Sequence, residues 1–228
     1  MSRALRVLLS LVAVVGVASV AQAQNCVGAP AFSVGMVRLA GTVDFADSLK
    51  TYGGDLSIGR DKGFYLHGNL SHSKLNDFDG SSNQGGGSIG YQVAIDPSWQ
   101  FCPFVGVNAQ SGSVIGASPS PNSPWNNFDV YAGGSLGWVA ANSGDTQVIP
   151  AVGLALANRH STSKIVQLGT SAATRTDNFG YATGAIGFVF NKRWTITPNV
   201  NIPFKEDDGK TTYGVSLSLN FNTPNWKR

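Results

Sequence analysis

Any catalytic or metal-binding chemistry in this chain has to come from three His, two Cys and a scatter of Asp and Ser side chains. His72 precedes Asp77 and Asp79, and a His beside two carboxylates is a set that activates water for hydrolysis. The segment is also Asp-rich in the manner of an ordinary solvated turn, and the turn is the simpler reading. His72-Ser73 and His160-Ser161 are adjacent pairs, and a nucleophilic Ser needs a His within hydrogen-bond reach. Neighbours on a strand point to opposite faces, so neither pair has that geometry. The His and Cys residues show no metal-ligand spacing. Gly85-Gly86-Gly87 lacks the Lys and the helix of a phosphate-binding loop. Lys205-Glu206-Asp207-Asp208-Gly209-Lys210 is a polar hairpin tip with only a weak claim on Ca²⁺, and Ser118 to Pro124 is a Pro-rich exposed loop suited to surface contact. The residues point to no catalytic group, no metal and no cofactor, and the expectation is a protein that is not an enzyme.

The elements that carry these residues follow from composition. Charged residues make up 13% of the chain, about half the ~25% of a typical soluble domain. Twenty-eight of 228 residues are Gly, and each Gly costs a helix ~1 kcal/mol against Ala. A helical bundle is therefore disfavoured and a β-rich chain with few surface charges remains. Arg3 and Arg6 precede the apolar run Val7 to Val20, followed by Ala21-Gln22-Ala23, the charged, apolar and small-residue pattern of a secretory signal peptide. The run is too short for the ~20 residues that span a bilayer as a helix. The expected division is a signal peptide over 1–23 and a single β-barrel domain over 24–228. Without Arg3 and Arg6 the basic residues nearly match the 13 acidic ones, so no nucleic-acid partner is inferred. Cys26 and Cys102 are the only cysteines. In an exported chain an even pair predicts a disulfide.

The remainder alternates with period two. Tyr213, Val215, Leu217, Leu219 and Phe221 interleave with Gly214, Ser216, Ser218 and Asn220, and such alternation marks a strand with unlike faces. Ten strands are predicted, at about 31–40, 51–60, 64–75, 85–96, 101–112, 127–140, 146–159, 178–190, 194–204 and 212–222. Each is long enough to cross a membrane obliquely, which takes about 9–11 residues. Short turns at 60–63, 96–99, 142–145 and 191–193 alternate with longer connections expected at 41–50, 76–84, 113–126, 160–177 and 205–211, the two unlike ends of a membrane barrel. The polar strand face holds Gly, Ser, Thr and Asn rather than Lys or Glu, a poor water-facing surface but a workable interior. Aromatics gather near the strand ends: Phe64, Trp99, Phe101, Trp138, Phe188, Phe190, Trp194 and Phe221 beside the short turns, and Phe45, Tyr52, Phe78, Trp125, Phe128, Tyr131, Phe179, Tyr181, Phe204 and Tyr213 toward the long loops. Two girdles match two membrane–water interfaces.

The last strand, from Thr212 to Leu219 and on to Phe221, resembles the C-terminal insertion signal of bacterial outer-membrane β-barrels. Thr212, Gly214, Leu217, Leu219 and Phe221 fill its places, while the tail 222–228 departs from it. The resemblance is to the small outer-membrane barrel superfamily. It implies a closed up-and-down antiparallel transmembrane barrel of a Gram-negative bacterium, partnered by outer-membrane lipid and, during biogenesis, by the barrel-assembly machinery. An even strand number returns the C-terminus to the side of the N-terminus. Ten strands fit the chain length, with eight as the alternative. With the apolar faces turned to lipid, Asp55, His67, Asn69, Gln92, Asn108, Asp129, Asn199 and Asn201 are the candidate lumen-lining residues. The phase of 178–191 is ambiguous, because Tyr181 and Phe188 fall in opposite registers and a bulge would be needed to place both outside. A Cys26–Cys102 bridge would pin the N-terminal segment across the mouth near the short turns. The function expected is porin-like passage of small solutes or contact through the surface loops, without catalysis. The alternatives are a barrel enzyme acting on lipid or peptide, and a soluble periplasmic lipocalin-like binder.

Overall fold

A computed structural model describes residues 26, 36–47, 49–59, 63–75, 79–96, 98–115, 123–163, 173–204 and 210–222. The expected signal peptide over 1–23, Asp77, residues 118–122 of the Pro-rich loop, the 205–209 tip and the tail 223–228 lie outside the described residues.

The alternating segments form β1 (Met36–Ala46), β2 (Leu49–Gly59), β3 (Phe64–Leu75), β4 (Asp79–Tyr91), β5 (Val93–Ala94), β6 (Trp99–Ile115), β7 (Ser123–Trp138), β8 (Ala141–Ser143), β9 (Thr146–Ser163), β10 (Ala173–Phe190), β11 (Trp194–Phe204) and β12 (Thr212–Asn222). The short β5 follows β4 and pairs with β6, and the short β8 follows β7 and pairs with β9. Ten staves result. Each pairs antiparallel with its sequence neighbours, and β1 closes the cylinder on β12 from Met36↔Asn222 to Phe45↔Tyr213. The closed ten-strand barrel expected from the sequence is the observed fold, and it leaves no sheet edge unpaired.

Both ends of the chain's barrel, Met36 and Asn222, lie at one end of the cylinder, here called the terminal end. Its turns carry the positive-φ residues that tight hairpins need: Asn191 and Lys192 with φ of 51° and 54°, and Gly144 with φ of 62°. Asp96 closes another, its Oδ1 accepting from the Ser98 and Trp99 N–H groups at 2.6 and 2.9 Å. At the opposite, loop end the expected lengths need correction. The strands run through 41–46, 49–50 and 79–84, so only residues 47–48 and 76–78 separate β1 from β2 and β3 from β4. Over 79–84 small polar residues give both strand faces a loop-like composition, yet Ser81–Gln84 pair with β3 and Asp79–Gln84 with β6. The longer connections are the last three, after β6, β9 and β11.

The two faces of the wall are inverted relative to a soluble protein. Among the described residues, 29 large apolar side chains lie exposed on the outside, up to 73% for Leu70 and 61% for Leu154. Inward positions instead hold Arg38, Ser57, Gln100, Asp129, Ser135, Thr195, Thr197, Ser218 and Asn220, all buried. At the terminal end the outer aromatics form a belt in which Trp99 stacks on Trp138 at 4.7 Å and Phe64 meets Tyr91 edge-on at 4.8 Å. Phe45, Tyr52, Phe128 and Tyr213 are exposed toward the loop end.

Four aromatics assigned to that second girdle do not belong to it. Trp125, Tyr131, Phe179 and Tyr181 share the inward strand phase of Asp129 and Ala185. The register of β10 against β9 runs unbroken from Ala173↔Ser163 to Phe190↔Thr146. No bulge separates Tyr181 from Phe188. Tyr181 simply faces the lumen and Phe188 faces outward.

Candidate functional site: a two-chambered polar lumen

The inward side chains divide the lumen by height. Toward the terminal end, Met36, Arg38, Gln100, Cys102, Ile149, Val189, Thr195 and Asn220 are buried, with Cys102, Ile149, Val189 and Thr195 at or near zero exposure. Cys26 is bonded to Cys102 and is itself buried. Its Sγ lies 3.8 Å from the Gln100 carbonyl oxygen and 3.9 Å from that of Ser135. The bridge therefore places a residue from outside the barrel strands against the inner wall at β6 and β7. Arg38 crosses the β1–β12 seam, its Nε donating to Asn220 Oδ1 at 3.1 Å.

Toward the loop end the filling gives way to two cavities that share Gln84. One, of about 300 Å³, is lined by Gln84, Asn108, Asp129, Tyr131, Ala157, Arg159, Phe179, Tyr181 and Asn201. Its centre is the Asp129–Arg159 pair, directly opposed across β7 and β9. Arg159 Nε and Nη2 donate to the two carboxylate oxygens at 2.9 and 3.2 Å, a bidentate ion pair. The same guanidinium lies 4.2 Å from the centre of the Phe179 ring, a cation–π contact. Tyr131 reaches across the wall and donates to Gly87 O at 3.5 Å.

The second cavity, about 280 Å³, includes Thr42, Asp44, Thr51, Asp55, His67, Asn69 and Ser71 in its wall. Thr51 and Ser73 share a hydroxyl–hydroxyl hydrogen bond of 2.8 Å. Here the fold assembles a Ser, a His and an Asp that sequence spacing did not single out as a set. Ser57 Oγ lies 3.0 Å from His67 Nδ1, and Asp55 Oδ1 lies 3.9 Å from the same nitrogen. A proton relay needs the nucleophile and the orienting carboxylate on opposite ring nitrogens. With both on Nδ1 this cluster is a hydrogen-bonded wall patch, not a relay.

Of the lumen candidates, the structure brings Asn108, Asp129 and Asn201 to the first cavity and Asp55, His67 and Asn69 to the second. Asn199 sits beside Asn201, accepting from its Nδ2 at 3.3 Å. Gln92 lies at the terminal end between β4 and β5, its N–H donating to Gly63 O at 2.6 Å, away from both cavities. The insertion-signal residues lie in β12: Leu217 and Phe221 are exposed outward, and Gly214 is turned inward against the Asp44 carboxylate. His72 points outward and bonds Asn83 Oδ1 at 2.9 Å, while its neighbour Ser73 is buried inside. The strand geometry thus separates that pair. Arg159 and the inward aromatics were missed. The signal for Arg159 was present, because Gly153, Ala155 and Ala157 set an inward phase that reaches residue 159.

No protein-family model matches the chain, and no curated protein matches it. Among solved structures, the N-terminal β-barrel domain of Pseudomonas aeruginosa OprF is similar at 12% identity, covering 82% of this chain and 98% of that one with a TM-score of 0.36. The KdgM porin is similar at 10% identity, with 81% and 99% covered and a TM-score of 0.40. The translocator domain of the autotransporter NalP from Neisseria meningitidis is similar at 11% identity, with 83% and 88% covered and a TM-score of 0.45.

Proposed function

We propose that the protein is a non-enzymatic β-barrel of the bacterial outer membrane whose polar lumen admits small solutes. The observation that carries this reading is the inverted polarity of the wall: large apolar side chains outside, small and polar ones inside. In water, an exposed apolar surface of this extent would aggregate. In a bilayer it is the ordinary outer band of a barrel, flanked by aromatics at each interface. The terminal end, with its tight turns, faces the periplasm, and the signal peptide and the β12 residues Thr212, Gly214, Leu217, Leu219 and Phe221 serve export and insertion. Surrounding lipid and the assembly machinery are then its partners.

Solute entry is from the loop end, because the cavities lie there and the opposite half is filled. The filled half and the Cys26 bridge favour a low basal conductance, so the lumen acts as a cup whose floor sets the passage rate. The test is extraction and gel mobility. Detergent-dependent solubility and a band that shifts on heating support the reading. A chain that stays soluble and monomeric without detergent supports the lipocalin-like alternative instead. Hydrolysis of lipid or peptide by the refolded protein would restore the enzymatic one.

A further inference from the structure

We infer that the two loop-side cavities form one binding site for neutral or amine-bearing polyhydroxylated small molecules, sugars of one or two rings, and that the site turns anionic ones away. The inference rests on the reading that solutes enter this lumen from the loop end.

The size is right for such a ligand. Cavities of about 300 and 280 Å³ that meet at Gln84 fall at the lower end of the range for small-molecule sites, ~300–1,000 Å³. The lining is right as well. Vicinal hydroxyls are paired best by planar groups that offer two contacts at a fixed spacing, and by amides that both donate and accept. The Asp129–Arg159 pair, Gln84, Asn108 and Asn201 provide these around the first cavity. Tyr131 and Tyr181 add rings with an apolar body and a polar tip. The second cavity adds the hydroxyls of Thr42, Thr51 and Ser71. A purely apolar ligand would strand these groups, at a cost for each unpaired partner.

Charge supplies the selectivity. The charged side chains lining the two cavities are Arg159 against Asp44, Asp55 and Asp129, an excess of carboxylates even with His67 beside Asp55. The guanidinium groups of the lumen and its rim are also committed. Arg159 is held by Asp129, Arg175 by Asp177 at 2.7 Å, and Arg38 binds Asn220 in the filled half. A carboxylate or phosphate ligand would therefore meet Asp44 and Asp55 without a guanidinium left to pair it, and like-charge juxtaposition of this kind is strongly unfavourable. An amine would find those same two carboxylates.

The test uses the full protein refolded in detergent, with its heat-shifted band as the check of folding. Calorimetric titration with maltose, glucosamine, glucuronate and glucose 6-phosphate is expected to show binding of the first two, with the two anions at least tenfold weaker. Tyr181→Ala is expected to weaken maltose about tenfold, the equivalent of ~1.4 kcal/mol. Asp129→Asn keeps the shape but releases Arg159 from its carboxylate, and is expected to strengthen glucuronate binding about tenfold. A heat-shifted protein that binds none of the probes, or that binds anions as well as maltose, overturns the inference and leaves the membrane reading standing. Failure of the heat shift in the wild type overturns that reading itself. If a variant does not refold, the wild-type series alone decides.

Discussion

Gly106 faces the lumen from β6 directly beneath the Tyr131 ring. A Cβ there would come within 2.5 Å of the phenol and 2.6 Å of the Gly87 carbonyl oxygen. The missing side chain is what lets the ring lie flat on the neighbouring stave and form the cavity wall. Gly106→Ala is expected to cost about 1–3 kcal/mol, the usual range for overpacking. Gly41→Ala, with nothing within 4 Å of its Cβ, should cost less than ~0.5 kcal/mol, as for most surface changes. Urea unfolding followed by tryptophan fluorescence in lipid vesicles compares the two. Gly86 does the same service for Asn108, whose Oδ1 rests over it without a hydrogen-bond partner. At this scale the sequence is legible through strand parity alone. Asp55 can be placed because Gly53 and Ser57 flank it at every second position, Asn69 because Leu66 and Leu70 claim the opposite face, and Asp129 because Phe128 and Val130 do. Tyr131 shares the parity of Asp129, yet hydrophobicity alone assigns its ring to the lipid side, and the room it takes inside is made by Gly106 on the neighbouring stave.

The elements most open to test are the tether and the outer face of β9. Cys26 and Cys102 are 76 residues apart, and closing a loop of that length is worth about 4 kcal/mol on the chain-entropy account. Cys102→Ser is expected to lower the unfolding midpoint and to raise single-channel conductance in planar bilayers, because the buried Cys26 is no longer held against Gln100 and Ser135. An unchanged conductance would show that the strand-borne side chains alone close the terminal half. On β9, Leu154 is 61% exposed to the outside. Leu154→Arg is expected to destabilise the barrel by about 2–4 kcal/mol if that position sits near the bilayer midplane, measured by the same unfolding titration. Strand existence and pairing order were readable from alternation and turn residues, as β11 and β12 show with bounds that match the reading. The 79–91 segment, Asp-Gly-Ser-Ser-Asn-Gln-Gly-Gly-Gly-Ser-Ile-Gly-Tyr, was only half legible. Its outward and inward residues are equally small over most of its length, so the period-two signal vanishes, and the strand is held by hydrogen bonds from β3 and β6.

For the whole molecule, the apolar band and the enclosed polar lumen are two consequences of one alternating pattern wrapped into a closed cylinder. The pattern was legible because lipid and lumen demand opposite chemistry at adjacent positions. The division of that lumen into a filled half and a cavity half was not, since it depends on which inward side chains meet across the barrel at a given height. The account stands on which face meets hydrocarbon, and nitroxide labels in reconstituted vesicles measure that directly. Labels at Leu154→Cys and Val130→Cys, both on the outside, should collide freely with dissolved oxygen and hardly at all with a water-soluble nickel chelate. A label at Thr183→Cys, on the inward phase of β10, should show the reverse. Leu154 and Val130 labels that are open to the nickel chelate, or equal to the Thr183 label, would contradict the account.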